Sequence, residues 1–471
     1  MKIEHQLDYS KILSTQENRL NLLLSLRGPA LPDANRRNPL RIVAVLDRSP
    51  SMDYSCDGGL NHSGMESKLD RLKATMLKLI DNLTDQDQLA MVWFSDTAST
   101  KGFKTMTAAE RSKAKKEVNE VHSSSATNIS EALDVTCEVL KKIKDNPGTI
   151  TRVLLLTDGE PTAGDCTPDG IVQRVGKLPH FAGLSCFGYG KDWNENLMSA
   201  MSQKGGGGYY FIDNLKIVTR AFATEIGGLL TCYAKNIKVA LTLGKGVEFE
   251  KLLNEYSVDN KSGVVTIEAG DLYFEEDRKL VMRLRVPVAK GIGFQNASKI
   301  DLSEVTVTMD SLVDGKTVTH NGAKVTVDLV DKEADLPKAN KIVAEEVAVM
   351  EAALAQTEAK TMADAGDIQG ARSLLKHHLV GLDAFESGGY AHAFASLVQE
   401  NLDGIQADTY CSNSVAAKSL STSSAFALRS KRGVLGRSAA SATMYNMTTP
   451  DSIKASVAKF EDDKDEAEAS K

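Results

Sequence analysis

The chain has 471 residues, 42% of them hydrophobic and 25% charged, with a formal net charge of −7. That length implies about two to four domains, and the composition is that of an ordinary folded protein. The acidic balance excludes a global basic footprint for nucleic acid, and no run of residues approaches the roughly 18 apolar positions of a membrane span.

The opening residues, MKIEHQLDYSKILST, contain no apolar run of signal-peptide length. The six cysteines are Cys56, Cys137, Cys166, Cys186, Cys232 and Cys411, with no CxxC spacing among them. Scattered thiols argue against a zinc finger or a disulfide scaffold, and they point to a cytoplasmic protein with reduced cysteines.

Residues 17–28, ENRLNLLLSLRG, alternate polar and apolar positions as a half-buried strand does. From residue 40 to about 215 strand-like and helix-like segments then take turns. RIVAVLD (41–47), QLAMVWFS (88–95), RVLLLTD (152–158), LSCFGYG (184–190) and YYFID (209–213) read as strands, all but the last bounded in the manner of buried parallel strands. Between them, KLDRLKATMLKLIDNL carries Leu69, Leu72, Met76, Leu79, Ile80 and Leu83 on one stripe, and NISEALDVTCEVLKKIK is a second helix. Such alternation predicts a doubly wound, mostly parallel α/β sheet, with ligands beyond the carboxyl ends of its strands.

After residue 230 the period changes. NIKVALTL, GVVTIEAG, KLVMRLRVPV, EVTVTMDSL and AKVTVDLV alternate with a period of two and read as an antiparallel β-sandwich. Residues 17–28 are expected to join it, which makes the α/β unit an insertion. Helical periodicity returns near residue 338, with Gly366 as a C-terminal stop and Asp367 as the next N-cap. Beyond residue 412 Ser, Ala and Thr dominate and the chain closes on EDDKDEAEASK. The expected division is therefore an N-terminal strand region (1–38), the α/β domain (39–228), the sandwich (229–336), a helical region (337–410) and a low-order tail (411–471).

Within the α/β domain one stretch stands out, IVAVLDRSPSM at 42–52. An apolar strand delivers Asp47, with Ser49 and Ser51 alternating behind it. RVLLLTDGEPT delivers Asp158 at another strand end, and SSSATNIS delivers Thr127 just before a helix. All five are oxygen donors with little charge, which suits Mg²⁺, or Mn²⁺ and Ca²⁺, and suits zinc poorly. Two carboxylates and three hydroxyls leave an octahedral ion with waters and an open position. An Asp or Glu from a protein partner can fill that position, so the set suits gripping more than water activation.

Taken together, DRSPS (47–51), Thr127 in ATNISEAL and Asp158 in LLLTDGEPT resemble the von Willebrand factor A domain and its metal-ion-dependent adhesion site. The resemblance implies direct ligation by Ser49, Ser51 and Thr127, with Asp47 and Asp158 acting directly or through water. DQLAMVWFSDTA and FGYGKDWNENLMSAMSQKGGGGYYFID resemble further elements of that family. Arg48 and Pro50 depart from the small residues usual in the loop, which predicts a weaker site. An α/β domain of this kind inserted in a sandwich and followed by AGDIQGARSLL resembles inter-α-trypsin inhibitor heavy chains and their bacterial relatives. SVAAKSLSTSSAFALRSKR and MTTPDSIKASV resemble the C-terminal ends of plant von Willebrand A ubiquitin ligases, whose N-terminal RING has no counterpart in the cysteine-free residues 1–40.

Other features predict less. Gly205 to Gly208 read as a flexible turn, and DSLVDGKT (310–317) only mimics a P-loop because it lies among strands. Cys56, Asp57 and His62 match no metal spacing, and no catalytic signature such as HExxH or GxSxG is present. The loop 53–67 beside the candidate metal is longer than its connection requires. The expectation is a non-enzymatic, metal-dependent protein-binding module with neither a nucleic-acid nor a membrane partner. One alternative is an adaptor or subunit of a ubiquitin-ligase or AAA+ machine with catalysis in another chain. The other is a structural protein with a non-functional metal site.

Overall fold

The structure is a computed structural model that describes residues 1–32, 37–55, 66–146, 148–158, 160–189, 194–212, 215–288, 298–406, 409–411, 415–428 and 439–462. The chain opens with β1 (Lys2–Leu7), β2 (Lys11–Leu13) and β3 (Asn18–Arg27). The α/β unit begins with β4 (Leu40–Asp47), α1 (Lys68–Asn82), β5 (Gln88–Phe94), β6 (Ala98–Thr100) and β7 (Lys104–Thr105). It continues through α2 (Ala108–Asn119), α3 (Ile129–Lys141), β8 (Ile150–Thr157), α4 (Pro168–Val175) and β9 (Ala182–Tyr189). It closes with α5 (Glu195–Lys204), β10 (Gly206–Ile212) and α6 (Leu215–Leu230). Seven strands follow: β11 (Cys232–Leu243), β12 (Glu248–Leu252), β13 (Ser257–Lys261), β14 (Val264–Tyr273), β15 (Asp277–Val286), β16 (Lys299–Ser311) and β17 (Lys316–Val330). The described chain ends in α7 (Lys341–Asp364), α8 (Ile368–Asp383), α9 (Tyr390–Gly404), α10 (Val415–Leu428), α11 (Ala439–Thr448) and α12 (Asp451–Asp462).

The central sheet has the order β10-β9-β8-β4-β5-β6, with β7 also paired to β5. Its five long strands are parallel, and only β6 and β7 run against β5. β4 is buried on both faces, with Ile42 through Leu46 all at 0% exposure, which is why it reads as a continuous apolar run rather than an alternating one. The connection from β4 leads to β5 on one side, whereas β8 lies on the other. The chain therefore reverses its winding at β4, and the crevice at that strand's carboxyl end is where open α/β sheets place ligands.

The sandwich is built from both sides of this insertion. β3 lies between β1 and β15 and pairs with β15 along its whole length, from Arg27↔Asp277 to Asn18↔Val286. β2 adds to the second sheet by pairing in parallel with β17. The sheets have the orders β1-β3-β15-β12 and β13-β14-β11-β16-β17-β2. Leu22 and Leu24 of the first share one apolar core with Val239, Ile267 and Val307 of the second. The two crossings between sandwich and insertion lie together, because Asn38 Nδ2 donates to the Cys232 carbonyl at 2.7 Å.

The helical region forms as its punctuation predicts. Gly366 sits at φ +91°, the left-handed conformation that ends α7, and the Asp367 side chain accepts from Gly370 N to cap α8. Among the described residues no helix is long and apolar enough to cross a membrane.

Two expectations are corrected. Residues 411–471 are not simply a low-order tail, because α10, α11 and α12 lie within them. Ile453 and Val457 join the core that contains Phe222 and Ile226 of α6. The Ser- and Ala-rich composition hid an i, i+4 apolar pair that needs only one apolar helix to cover it. Residues 463–471 fall outside the described set. The glycines at 205–208 are also not a flexible turn, since β10 begins at Gly206. A Cβ at Gly207 would stand 2.1 Å from the Leu184 carbonyl oxygen, so close backbone approach dictates glycine there.

Candidate metal centre

The register of the sheet builds the site. β4 and β8 are parallel neighbours with Leu46 opposite Leu156. Asp47 therefore leaves its strand beside Thr157, with Asp158 one residue further on. Both carboxylates are buried, Asp47 at 0% and Asp158 at 1% exposure. Asp47 accepts the Ser49 backbone N–H on Oδ1 at 2.7 Å and the Thr157 hydroxyl on Oδ2 at 2.5 Å. The Ser51 hydroxyl donates to Asp158 Oδ1 at 2.7 Å, and the Ser49 and Ser51 hydroxyls lie 3.0 Å apart. These five residues thus form one hydrogen-bonded set.

Pro50 causes no conflict in this loop. It opens a 3₁₀ turn over Pro50–Asp53, at a position where the missing N–H has no partner to lose. The turn drives Met52 into the core at 0% exposure, which anchors the serines behind it.

A third loop reaches the same rim. Ser124 N donates to the Arg48 carbonyl at 2.8 Å, and Asn128 N donates to the Ser95 carbonyl, just beyond β5, at 2.7 Å. Thr127, between them, is 4% exposed. Its N–H donates to the Thr162 hydroxyl at 2.9 Å, and its carbonyl accepts from Thr162 N at 2.9 Å. The cap of α3 is Asn128, whose side chain accepts from Glu131 N at 3.1 Å. Thr127 is therefore not employed as a helix cap, and its backbone is held by the loop that follows β8.

The electrostatics favour a cation. Burial first, and then the neighbouring Asp158 carboxylate, push the Asp47 carboxyl up to about 7, against the opposing hydrogen bonds from Thr157 and Ser49. A positive charge between the two acids reverses both the repulsion and part of the burial penalty. One positive charge already reaches this pair. Lys68, the first residue of α1, is 4% exposed and places Nζ 2.7 Å from Asp158 Oδ2. Each Asp158 oxygen thus has a donor, one from Ser51 and one from Lys68.

The donor set itself fits a hard divalent ion: two carboxylates in electrostatic contact, two hydroxyls between them, and a threonine loop at the same rim. Among the described residues no group of three or more His, Cys, Asp or Glu side chains is placed to hold a metal, at this rim or elsewhere. Residues 56–65 of the long loop, with Cys56, Asp57 and His62, lie outside the described residues.

Sequence reading missed three contributors: Thr157, Thr162 and Lys68. Thr157 and Thr162 carry no local signal, because their roles come from strand register and loop contact. Lys68 had one. A lysine in the first turn of a helix opposes the macrodipole, so its presence there calls for a nearby anion.

Residues 42–221 match the model of the von Willebrand factor type A domain. Inter-alpha-trypsin inhibitor heavy chain H4 of Bos taurus is 28% identical over 183 residues, which cover 37% of this chain and 19% of that protein. The chain thus spans about a fifth of that relative's length. An uncharacterized protein of Synechocystis is 23% identical over 380 residues, covering 77% of this chain and 82% of that one. The ubiquitin-protein ligase WAVH1 of Arabidopsis thaliana is 25% identical over 300 residues, covering 59% of this chain and 37% of that one. Among solved structures, a von Willebrand factor type A protein of Catenulispora acidiphila superposes with a TM-score of 0.69 at 16% identity, covering 92% of this chain and 97% of that one. The ArnB paralog VWA2 of Sulfolobus acidocaldarius gives 0.58 at 14% identity, covering 91% and 98%. These two share the fold over nearly the whole length.

Proposed function

We propose that this chain, which carries a von Willebrand factor type A domain at residues 42–221, is a non-enzymatic protein that grips an acidic residue of a protein partner through a divalent ion. Ser49, Ser51 and Thr127 would hold Mg²⁺, or Mn²⁺ or Ca²⁺, with Asp47 and Asp158 as direct or water-bridged carboxylates. The ion would supply a Lewis-acidic position open to a partner carboxylate. The observation that carries the reading is the convergence of Asp47, Ser49, Ser51 and Asp158 into one hydrogen-bonded oxygen cluster, buried but for the half-buried Ser51, at the strand exits of β4 and β8. The sandwich and helices would then orient this rim in a cytoplasmic assembly.

The test is capture of partner protein on immobilised full-length chain in Mg²⁺ and in EDTA, with Ser49→Ala as control. Recovery that depends on Mg²⁺ and is lost in Ser49→Ala supports the reading; equal recovery in all arms refutes it. Ser49→Ala is preferred to Asp47→Ala because Asp47 also satisfies two buried donors, whose loss costs stability independently of metal.

A second reading draws on the alignment with WAVH1, which extends beyond the α/β domain. Here the chain serves as an adaptor to a ubiquitin-ligase or AAA+ machine. Co-purification with a RING or AAA+ protein independent of Mg²⁺ distinguishes it.

A further inference from the structure

Lys68 occupies an unusual place. Its backbone is fixed twice over: Ser67 caps α1 in a reciprocal box with Asp70, and Lys68 N donates to the Tyr54 carbonyl at 3.0 Å. Its side chain is 6% exposed and reaches the fully buried Asp158 side chain. Nothing in the helix asks for it. A cation at a helix N-terminus is electrostatically disfavoured, and a buried ammonium is costly without a paired anion. A lysine at the start of an amphipathic surface helix would ordinarily extend its head into water. The group that accounts for its position is Asp158 Oδ2.

We propose that Lys68 is a tethered cation that competes with the divalent ion for Asp158, so that metal loading requires its ammonium to withdraw. The inference rests on the metal-binding reading above. Asp158 Oδ1 already takes the Ser51 hydroxyl, itself a candidate ligand. With the ammonium on Oδ2, each oxygen already accepts one hydrogen bond, which leaves it a single lone pair for the ion or for a water on it. A divalent charge placed within a few ångströms of the buried ammonium is strongly repelled. The lysine-in arrangement keeps the acidic pair partly neutralised without metal. The lysine-out arrangement exposes Asp158 to the ion. If lysine-in outnumbers lysine-out by about ten to one, apparent metal affinity falls about tenfold, since only the competent fraction binds.

The experiment titrates Mn²⁺ calorimetrically into full-length wild type, Lys68→Met and Lys68→Arg, and records each melting temperature in EDTA and in excess Mn²⁺. Lys68→Met removes the charge while leaving the Ser67–Asp70 cap in place, and it should bind Mn²⁺ about tenfold tighter or more. It should also melt below wild type in EDTA and recover with Mn²⁺, because ligand binding to the native state alone raises stability. Lys68→Arg keeps the positive charge and should stay near wild type. Lys68→Gln, which retains a donor toward Asp158, should show the same tightening and serves if Lys68→Met does not fold. Equal Mn²⁺ affinity in wild type and the neutral variants overturns the competition while leaving the metal site standing. Absence of Mn²⁺ uptake by every variant overturns both.

Discussion

Asp47, Ser49, Ser51 and Asp158 are legible as single residues because each lies at or shortly after the end of an apolar strand, and a strand end in a parallel sheet is already a place on the rim. Their partners are not legible. Thr157 is 110 positions from Asp47 and Lys68 is 90 from Asp158, so both contacts come from the register of strands and a helix end, which local sequence does not encode. Glycine gives a similar lesson. The run at 205–208 suggests freedom, yet Gly207 is fixed by the Leu184 carbonyl. Gly207→Ala must displace β9 or β10 and should cost about 2 kcal/mol or more, in the range of overpacked sites, read as a lower urea midpoint with an unchanged slope. Gly206→Ala acts differently: its Cβ meets nothing within 4 Å, but φ is +66°. Its cost should be about 1–2 kcal/mol of backbone strain, measurable in the same titration.

At the scale of elements, long periodic helices and buried strands are readable, whereas short or dependent ones are not. β6 and β7 are three and two residues long and exist only as companions to β5. α8 is readable because Gly366 and Asp367 punctuate it chemically. Asp367→Ala removes the acceptor for Gly370 N and should cost about 1 kcal/mol, a modest fall in melting temperature with no change in metal uptake. α12 is the opposite case, since its composition suggests a solvated tail and its burial depends on α6. Ile453 is fully buried in the core that holds Phe222 and Ile226. Ile453→Ala should therefore destabilise by about 2–4 kcal/mol, and Ile453→Asp should prevent recovery of folded protein. A fragment ending before residue 451 would leave that part of α6 uncovered, and exposed apolar surface of this kind promotes association, visible by light scattering.

Across the whole molecule, the switches of hydrophobic period near residues 40 and 230 mark the inserted unit in the sequence itself. The contacts that fix that unit against the sandwich have no such signature. Arg152, at the amino end of β8, is 3% exposed at its side chain and reaches Glu225 of α6 at 3.4 Å and Asp271 of β14 at 2.8 Å. Lys235 of β11 reaches Asp145, in the loop before β8, at 2.9 Å. A basic residue inside an otherwise apolar strand, RVLLLTD, is the hint that the sequence offers. Arg152→Ala would take a buried cation from Glu225, which accepts hydrogen bonds from the neutral Ser185 and Tyr210 hydroxyls. The expected loss is about 3–5 kcal/mol, read by chemical denaturation.

The hydrogen bond from Asn38 to Cys232 joins the two places where the chain passes between sandwich and insertion. Asn38 precedes β4, whereas Asp47 ends it, so those passages stand at the opposite end of the strand from the acidic cluster. A tug applied through a captured partner would run down the sheet and leave by two neighbouring tethers at once. Load divided between two connections lessens the pull on each, so the arrangement is that of a clasp hung from a doubled cord.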